Sequence, residues 1–188
     1  MKKFVLLVSA TLALIAATQA TTVIPPTFEQ LVDQAETIFQ GKVTNVRSIW
    51  AGEGAQRHIE SYITFQIEES LKGTPGESYT LQILGGTVDG ETMEVTDSPK
   101  FVVGGRDILF VEHNGEQFVP LVGINHGRFH IQRNQQAGRE IITNGEDGPV
   151  RDVSKFGREE ESVGAAEAIS PAEFKSAIRE RLAAGTSQ

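Results

Sequence analysis

Hydrophobic and polar residues alternate with a period of two along most of the chain, which is the pattern of half-buried β-strands. The clearest run extends from Tyr62 to Leu71, where Ile63, Phe65 and Ile67 fall on one face and polar residues on the other. Further strands are predicted from the same alternation, or from short apolar runs, at 37–49, 79–83, 87–88, 93–95, 108–111, 118–122, 128–132 and 141–142.

Short turn signals separate these strands. Asp89-Gly90, Asn114-Gly115 and Asn144-Gly145 each follow an apolar run, as expected for β-hairpins. Gly41 lies inside the first strand, where glycine typically marks a bulge or a sharp bend. Because a strand that passes from one side of a barrel to the other must bend, we predict a mainly β fold, namely a small OB-like antiparallel barrel.

The period changes to that of a helix near both ends of the chain. Thr27 followed by Gln30 forms a capping box before a short N-terminal helix. Ser170-Pro171-Ala172-Glu173 is a second helix start, and the C-terminal helix is expected to pack over the open end of the barrel. Residues 157–169 between barrel and helix are acidic and poor in large apolar side chains, which predicts a linker.

The first twenty residues have the layout of a secretory signal peptide. Lys2-Lys3 precedes an apolar run of 14 residues from Phe4 to Ala17, and small residues stand at Thr18 and Ala20. The run is shorter than the roughly 20 residues of a membrane-spanning helix. We therefore expect cleavage after Ala20 and a secreted or periplasmic protein with no remaining membrane segment.

These features divide the chain into five parts. We predict a signal peptide at 1–20, an OB-like β-barrel domain at 21–133, a hairpin extension at 134–156, the acidic linker at 157–169 and the C-terminal helix at 170–184.

Charge and cysteine content narrow the function. Removing residues 1–20 takes away Lys2 and Lys3, so that 17 Lys and Arg become 15 against 25 Asp and Glu, and the net charge becomes −10. Such a chain repels nucleic acid and anionic lipid. The chain has no cysteine, which excludes thiol catalysis and cysteine-based zinc sites.

No combination of residues predicts catalysis. His126 and His130 have a zinc-like spacing, but on a strand they would lie about 13 Å apart, so we interpret them as exposed strand histidines. The chain has no nucleophile-elbow motif, and its carboxylate runs are typical of solvated segments. We expect no enzymatic activity, no cofactor and no metal site of its own.

Trp50 is the single tryptophan and borders a glycine-containing loop. Two interpretations remain open at this stage, since it is either a contact residue for a partner or a rim residue that covers the end of the barrel.

Residues Thr21 to about Val122 resemble the netrin-like OB-fold module of the tissue inhibitors of metalloproteinases. The resemblance rests on Pro25-Pro26 near the new N-terminus, Ala35-Glu36-x-Ile38 before the first strand and Gly41-Lys42-Val43 within it. It also includes Ser70-Leu71-Lys72-Gly73 at the end of the second strand, and Arg106–Val111 after a glycine pair.

This resemblance implies that the mature N-terminus is the working end. The α-amine and carbonyl of Thr21 would bind the zinc of a partner metalloprotease, and the Thr22 side chain would enter its specificity pocket. Such a terminus occupies the position that a catalytic zinc keeps open for water or substrate. The partner-binding ridge is then Thr21, Thr22, Val23, Ile24, Pro25 and Pro26. In the family a disulfide fixes this end, so a chain without cysteine needs another restraint.

We therefore predict a non-enzymatic, secreted or periplasmic protein-binding module, with a secreted metalloprotease as the expected partner. The alternative is an extracytoplasmic structural or ligand-binding β-barrel with no inhibitory role. Processing after Ala20, and a requirement for the free amine of Thr21, distinguish the first hypothesis from the second.

Overall fold

The computed structural model describes residues 25–135, 138–157 and 167–185. The predicted signal peptide, the residues from Thr21 to Ile24 and most of the acidic linker lie outside these ranges. Two helices and eight strands occur within them: α1 Phe28–Gln34, β1 Thr37–Ala51, β2 His58–Lys72, β3 Ser78–Leu84, β4 Gly86–Val88, β5 Glu91–Met93, β6 Arg106–Val111, β7 Arg128–Asn134, β8 Arg139–Thr143 and α2 Pro171–Gly185.

The predicted mainly β architecture, with a short helix before the strands and one helix after them, is confirmed. Six strands form one antiparallel sheet in the order β3-β2-β1-β6-β7-β8, and β4 pairs with β5 in a separate hairpin that turns at Asp89-Gly90. The predicted barrel is not closed, because β3 and β8 are the two outer strands of this sheet.

Residues 118–122 nevertheless bridge β3 and β6 by hydrogen bonds, so that the sheet curves around a core. The Leu84 amide of β3 donates to the carbonyl of Phe118 (2.8 Å), and the Val122 amide donates to the carbonyl of Phe110 in β6 (3.0 Å). The predicted hairpin at Asn114-Gly115 thus returns toward β6, but its second arm forms an isolated bridge between Val111 and Leu121 instead of a regular strand.

Gly41 lies at a bulge, as predicted from its place inside the first strand. The pairing of β1 with β2 shifts register between Gln40 and Gly41. A Cβ atom at Gly41 would lie 3.1 Å from the Gln66 carbonyl oxygen of the neighbouring strand, so a larger residue would have to displace its neighbours slightly. The bulge bends β1 so that its two halves face different parts of the molecule.

The sheet buries apolar side chains on both faces, because neighbouring residues in a strand point in opposite directions. The inner face, inside the curl, has a core built from Phe39, Val43, Ile63, Phe65, Leu81, Ile83, Phe101, Leu109, Val111, Val119 and Leu121. The outer face packs against both helices through Phe28, Leu31, Val32, Ala35, Ile38, Ile108, Phe110, Val122, Phe129, Ile142, Val150, Phe174 and Ile178.

The C-terminal helix begins as its sequence predicts. The Glu173 amide donates to Ser170 Oγ (3.3 Å), and the Ser170 amide donates to Glu173 Oε2 (2.7 Å). The expected position over the open end of the barrel is wrong, because Phe174 is buried against Phe129 on the outer face, with ring centroids 4.7 Å apart. Neither helix in the described ranges is long and apolar enough to cross a membrane.

An ion pair ties α2 to the sheet. Lys175 Nζ lies 2.6 Å from Glu69 Oε2 on β2. The hydrogen bond from Lys175 lowers the pKa of the Glu69 carboxyl, and the nearby Arg179 acts in the same direction. The contact joins the C-terminal helix to β2 across a sequence separation of 106 residues.

The residues predicted as a hairpin extension continue the main sheet. β8 pairs with residues His130 to Asn134 of β7. Ile142 and Val150, from the same part of the chain, belong to the outer core. The turn at Asn144-Gly145 closes with a hydrogen bond from the Asn144 amide to the Gly148 carbonyl (2.8 Å). After the acidic segment, the Ile169 amide donates to the Val150 carbonyl (2.7 Å), which returns the chain to this sheet before α2.

Candidate functional site

The predicted partner-binding ridge is described only at its base. Thr21, Thr22, Val23 and Ile24 lie outside the described residues. Pro25 is exposed and Pro26 is half-buried at the first positions of the described chain. The structure therefore bears on how the ridge is attached to the domain.

Two glycines hold this base. A Cβ at Gly123 would lie 3.0 Å from Cγ of Pro26, so the proline ring packs directly against the glycine backbone. On the other side, a Cβ at Gly157 would lie 3.3 Å from the Pro25 carbonyl oxygen. The chain at the two prolines thus lies close to the backbone of two turns, and proline itself restricts φ.

Helix α1 anchors the same point from the C-terminal side. The Gln30 amide donates to Thr27 Oγ1 (3.3 Å), and the Thr27 amide donates to Gln30 Oε1 (2.9 Å), which is the predicted capping box. Phe28 is buried, with its ring 5.8 Å from Phe156 and 5.9 Å from Phe174. The residue directly after the cap is therefore locked into the outer core.

Replacing Gly123 with Ala should weaken this anchor. Gly123 has φ +64°, so Ala is strained there, and the new methyl group also meets Pro26. Gly54 is a matched control, because it has φ +56° and no atom within 4 Å of an added Cβ. We expect Gly54→Ala to lower the unfolding free energy by about 1 kcal/mol and Gly123→Ala to lower it by about 1 kcal/mol more. Urea titration measures both, and equal losses would contradict the packing role of Pro26.

A cavity of about 570 Å³ adjoins the base of the ridge. Pro25, Pro26 and His126 line it together with Asn125 and Glu146. Asn125 Nδ2 donates to the Gly145 carbonyl (2.9 Å), whereas the buried Oδ1 of the same side chain has no partner among the described residues.

Trp50 lies near the other end of β1, away from α1. It pairs with the buried Ile59 of β2, and the guanidinium carbon of Arg57 stands 3.8 Å from the centre of its ring. The indole is half-buried, with one face covered by this cation–π contact. Trp50, as a candidate contact residue, is therefore remote along the strand from Pro25 and Pro26.

A buried polar cluster on the inner face was missed by sequence reasoning. Asp107 is fully buried, and its Oδ1 accepts a hydrogen bond from Arg128 Nε (3.1 Å) and lies 2.7 Å from His130 Nδ1. Arg128 is only 4% exposed. The interpretation of His130 as an exposed strand histidine is wrong, since its side chain is 20% exposed and contacts Asp107.

Arg128 of this cluster also contacts Lys100 and Phe101 in the segment that follows β5. Arg128 Nη1 donates to the Lys100 carbonyl (2.8 Å), and the guanidinium carbon lies 4.0 Å from the centre of the Phe101 ring. Burial lowers the pKa of the Arg128 guanidinium, against the opposing effect of Asp107, although arginine stays protonated at neutral pH. Arg128 therefore holds the segment around residue 100 against the sheet by a charge-assisted hydrogen bond and a cation–π contact.

One signal in the sequence pointed to this cluster. Asp107 alternates with Leu109 and Val111, so the carboxylate occupies a core-facing position in an apolar strand. A buried carboxylate requires a partner, because an unpaired one is very costly. The identity of that partner depends on the pairing of β6 with β7, which no local pattern specifies.

His126 and His130 belong to different elements. His126 lies in the 3-10 turn Ile124–Gly127 beside the prolines, and His130 lies in β7. Within residues 25–135, 138–157 and 167–185, no group of three or more His, Cys, Asp or Glu side chains could hold a metal ion.

Comparison of the chain with protein-family models, with curated proteins and with solved structures finds no match.

Proposed function

We propose that the chain is a non-enzymatic, extracytoplasmic protein-binding module whose mature N-terminus blocks the zinc of a secreted metalloprotease. Cleavage after Ala20 would generate that end. The observation that supports the proposal is the close packing of the chain at Pro25 and Pro26 against Gly123 and Gly157, followed at once by a capped helix with buried Phe28, Leu31 and Val32.

This attachment supports the proposal because it holds the base of the ridge in a chain without cysteine. A ridge that is ordered before binding loses less conformational entropy on complex formation. Pro26 on Gly123 and Phe28 in the outer core fix the chain on both sides of Thr27. The four residues from Thr21 to Ile24 then reach at most about 14 Å from Pro25.

The chemistry of the proposal requires only backbone atoms of Thr21. Its neutral α-amine and its carbonyl oxygen are the two donors, and an α-amine has an ordinary pKa of about 8. A catalytic zinc has three protein ligands and an open position, which a chelating terminus fills. The Thr22 side chain would then determine which proteases are inhibited.

Two features support a role without catalysis. The most deeply buried ionic cluster, Asp107 with Arg128, holds the segment at Lys100 by a backbone hydrogen bond. His130 Nδ1 lies 2.7 Å from the same carboxylate oxygen, while Asp107 Oδ2 is buried with no hydrogen-bond partner among the described residues. The contacts of Arg128 hold the segment at Lys100, so we assign function to the surface and to the N-terminal end.

Affinity capture from the native extracellular fraction tests the proposal. The bait is the processed chain, and the control is the same chain with one residue added before Thr21. Mass spectrometry identifies both the partner and the N-terminus of the bait. A zinc metalloprotease captured only by the bait that begins at Thr21 supports the proposal, whereas partners captured equally by both baits favour the ligand-binding or structural alternative.

A further inference from the structure

His58 joins the β1–β2 loop, residues 52–57, to β2 through both nitrogens of its ring. Nδ1 lies 2.8 Å from the Gln56 carbonyl oxygen, and Nε2 lies 3.0 Å from Glu60 Oε1. His58 is the first residue of β2, and Gln56 is the last residue of the 3-10 turn Gly54–Gln56 within the loop. The imidazole therefore connects the loop to the sheet.

These two contacts are formed together only by the protonated ring. A backbone carbonyl accepts hydrogen bonds but cannot donate one, and the same holds for an ionised carboxylate. A neutral histidine has a single N–H, so one of its nitrogens would direct a lone pair at an acceptor. Both contacts are hydrogen bonds when His58 is an imidazolium that donates from each nitrogen.

The carboxylate of Glu60 is held in its ionised form. The Tyr62 hydroxyl donates to Glu60 Oε2 (2.8 Å), so both carboxylate oxygens have a neighbouring donor. The hydrogen bond from His58 lowers the pKa of the Glu60 carboxyl, and the hydrogen bond from Tyr62 acts in the same direction. A protonated Glu60 donating to a neutral His58 is therefore disfavoured.

The charge of His58 depends on the same two acceptors. The hydrogen bond to the Gln56 carbonyl raises the pKa of His58, and the hydrogen bond and charge of Glu60 raise it further, against the opposing effect of burial. Three charged side chains belong to the nearby part of β1 and to the loop: Arg47, Glu53 and Arg57. The residue opposite His58 on β1 is the uncharged Ala51. The β4–β5 hairpin packs on the other face of β2, over Ser61.

The double contact consequently has a limited pH range. Because the pKa of His58 lies above its ordinary 6.5, the contact contributes fully below about pH 6.5 and is lost as pH rises through the folded-state pKa. Because the pKa of Glu60 lies below its ordinary 4.5, the contribution is full above about pH 4.5 and is lost as pH falls through that pKa. Both groups are charged between these limits.

The loop held by this contact shields the candidate contact residue Trp50. The Arg57 amide donates to the Gly54 carbonyl (3.3 Å) at the end of the turn, and its guanidinium covers one face of Trp50. Arg57 lies between Gln56 and His58 in the chain. Release of the Gln56 carbonyl thus loosens the segment that keeps Arg57 in place.

We propose that His58 is a pH-sensitive switch that closes the β1–β2 loop. Protonated His58 fixes the loop to Glu60 and keeps Arg57 on Trp50. When His58 loses its proton to solvent, it retains one of its two hydrogen bonds, the loop opens and Trp50 becomes more exposed. This switch goes beyond the proposed function and requires neither processing at the N-terminus nor zinc.

The test follows three signals of the whole chain across the titration range of histidine. Nitrogen NMR follows the His58 ring, fluorescence follows Trp50, which is the single tryptophan, and hydrogen exchange follows the Arg57 amide relative to its intrinsic rate. We expect one common midpoint above 6.5, at which the ring loses a proton, the emission changes and amide protection falls. A change in emission without loss of amide protection would show direct quenching by the ring and overturn the proposal.

Two matched pairs of variants assign these signals. His58→Gln should abolish the Trp50 step, whereas His113→Gln, which removes a histidine from a different ion pair, should leave it in place. Glu60→Gln should shift the midpoint to lower pH, whereas Glu36→Gln, the same change at the partner of His113, should leave it unchanged. Urea unfolding checks that each variant remains folded.

A Trp50 step that persists in His58→Gln, a midpoint that Glu60→Gln does not move, or equal effects of a variant and its matched control would each contradict the switch. Adding a residue before Thr21 should leave all three titrations unchanged. This proposal and the inhibitor proposal therefore fail independently.

Discussion

Arg128→Met is expected to lower the unfolding free energy by about 3 kcal/mol, the lower end of the range for breaking a buried ion pair. The substitution leaves Asp107 fully buried without its arginine, and the Lys100 carbonyl loses its donor. His130 remains 2.7 Å from Asp107 Oδ1, which is why we expect the lower end of the range. The difference in urea midpoint against the parent chain measures the effect.

Two further variants identify the cause. Arg133→Met removes an exposed arginine from the same strand and should change stability by less than about 0.5 kcal/mol. Asp107→Leu combined with Arg128→Met removes both charges and should recover most of the loss, since apolar replacements of a buried pair are often neutral. A double variant that is as unstable as Arg128→Met would contradict an electrostatic origin.

Phe174→Ala is expected to destabilise the protein by about 3–5 kcal/mol. Phe174 is fully buried, and its ring contacts those of Phe28, Phe110, Phe129 and Phe156. The truncation leaves a cavity in the outer core, where both helices meet the sheet. Because Phe28 follows the cap of α1, the same change should also loosen the base of the N-terminal ridge.

The matched control is Phe118→Ala. Phe118 is 71% exposed, so its truncation should cost less than about 0.5 kcal/mol in the same urea titration. Similar losses at the two positions would mean that the outer core does not depend on α2, contrary to the packing described above.

Local chemistry was sufficient to predict much of this fold. The capping boxes at Thr27 and Ser170, the turn at Asp89-Gly90 and the bulge at Gly41 each depend on residues close together in sequence. For the same reason, the face that each strand residue occupies follows from alternation alone.

Long-range pairing was beyond the reach of such patterns. The run at 37–49 predicts one continuous strand, but nothing in it indicates that β6 stops pairing at Lys42 and leaves the second half with a free edge. The position of α2 on the outer face likewise depends on Phe174 meeting Phe129, a contact between distant segments. The incomplete barrel results from these pairings.

At the candidate site, too, local features could be predicted from the sequence and long-range contacts could not. The sequence singled out Pro25 and Pro26 through their distance from the predicted cleavage point. It contained no indication that Gly123 and Gly157 would pack against them, because both glycines come from distant turns. That packing is what makes an N-terminal function physically reasonable without a disulfide.

An inhibition assay on the processed chain tests whether the free amine of Thr21 blocks the zinc of a metalloprotease. The captured metalloprotease cleaves a fluorogenic peptide in the presence of the chain beginning at Thr21 or of the chain with one residue added before it. We expect the added residue to raise the inhibition constant by about tenfold to a hundredfold, since it displaces the amine from the zinc. Equal inhibition by the two chains would contradict it.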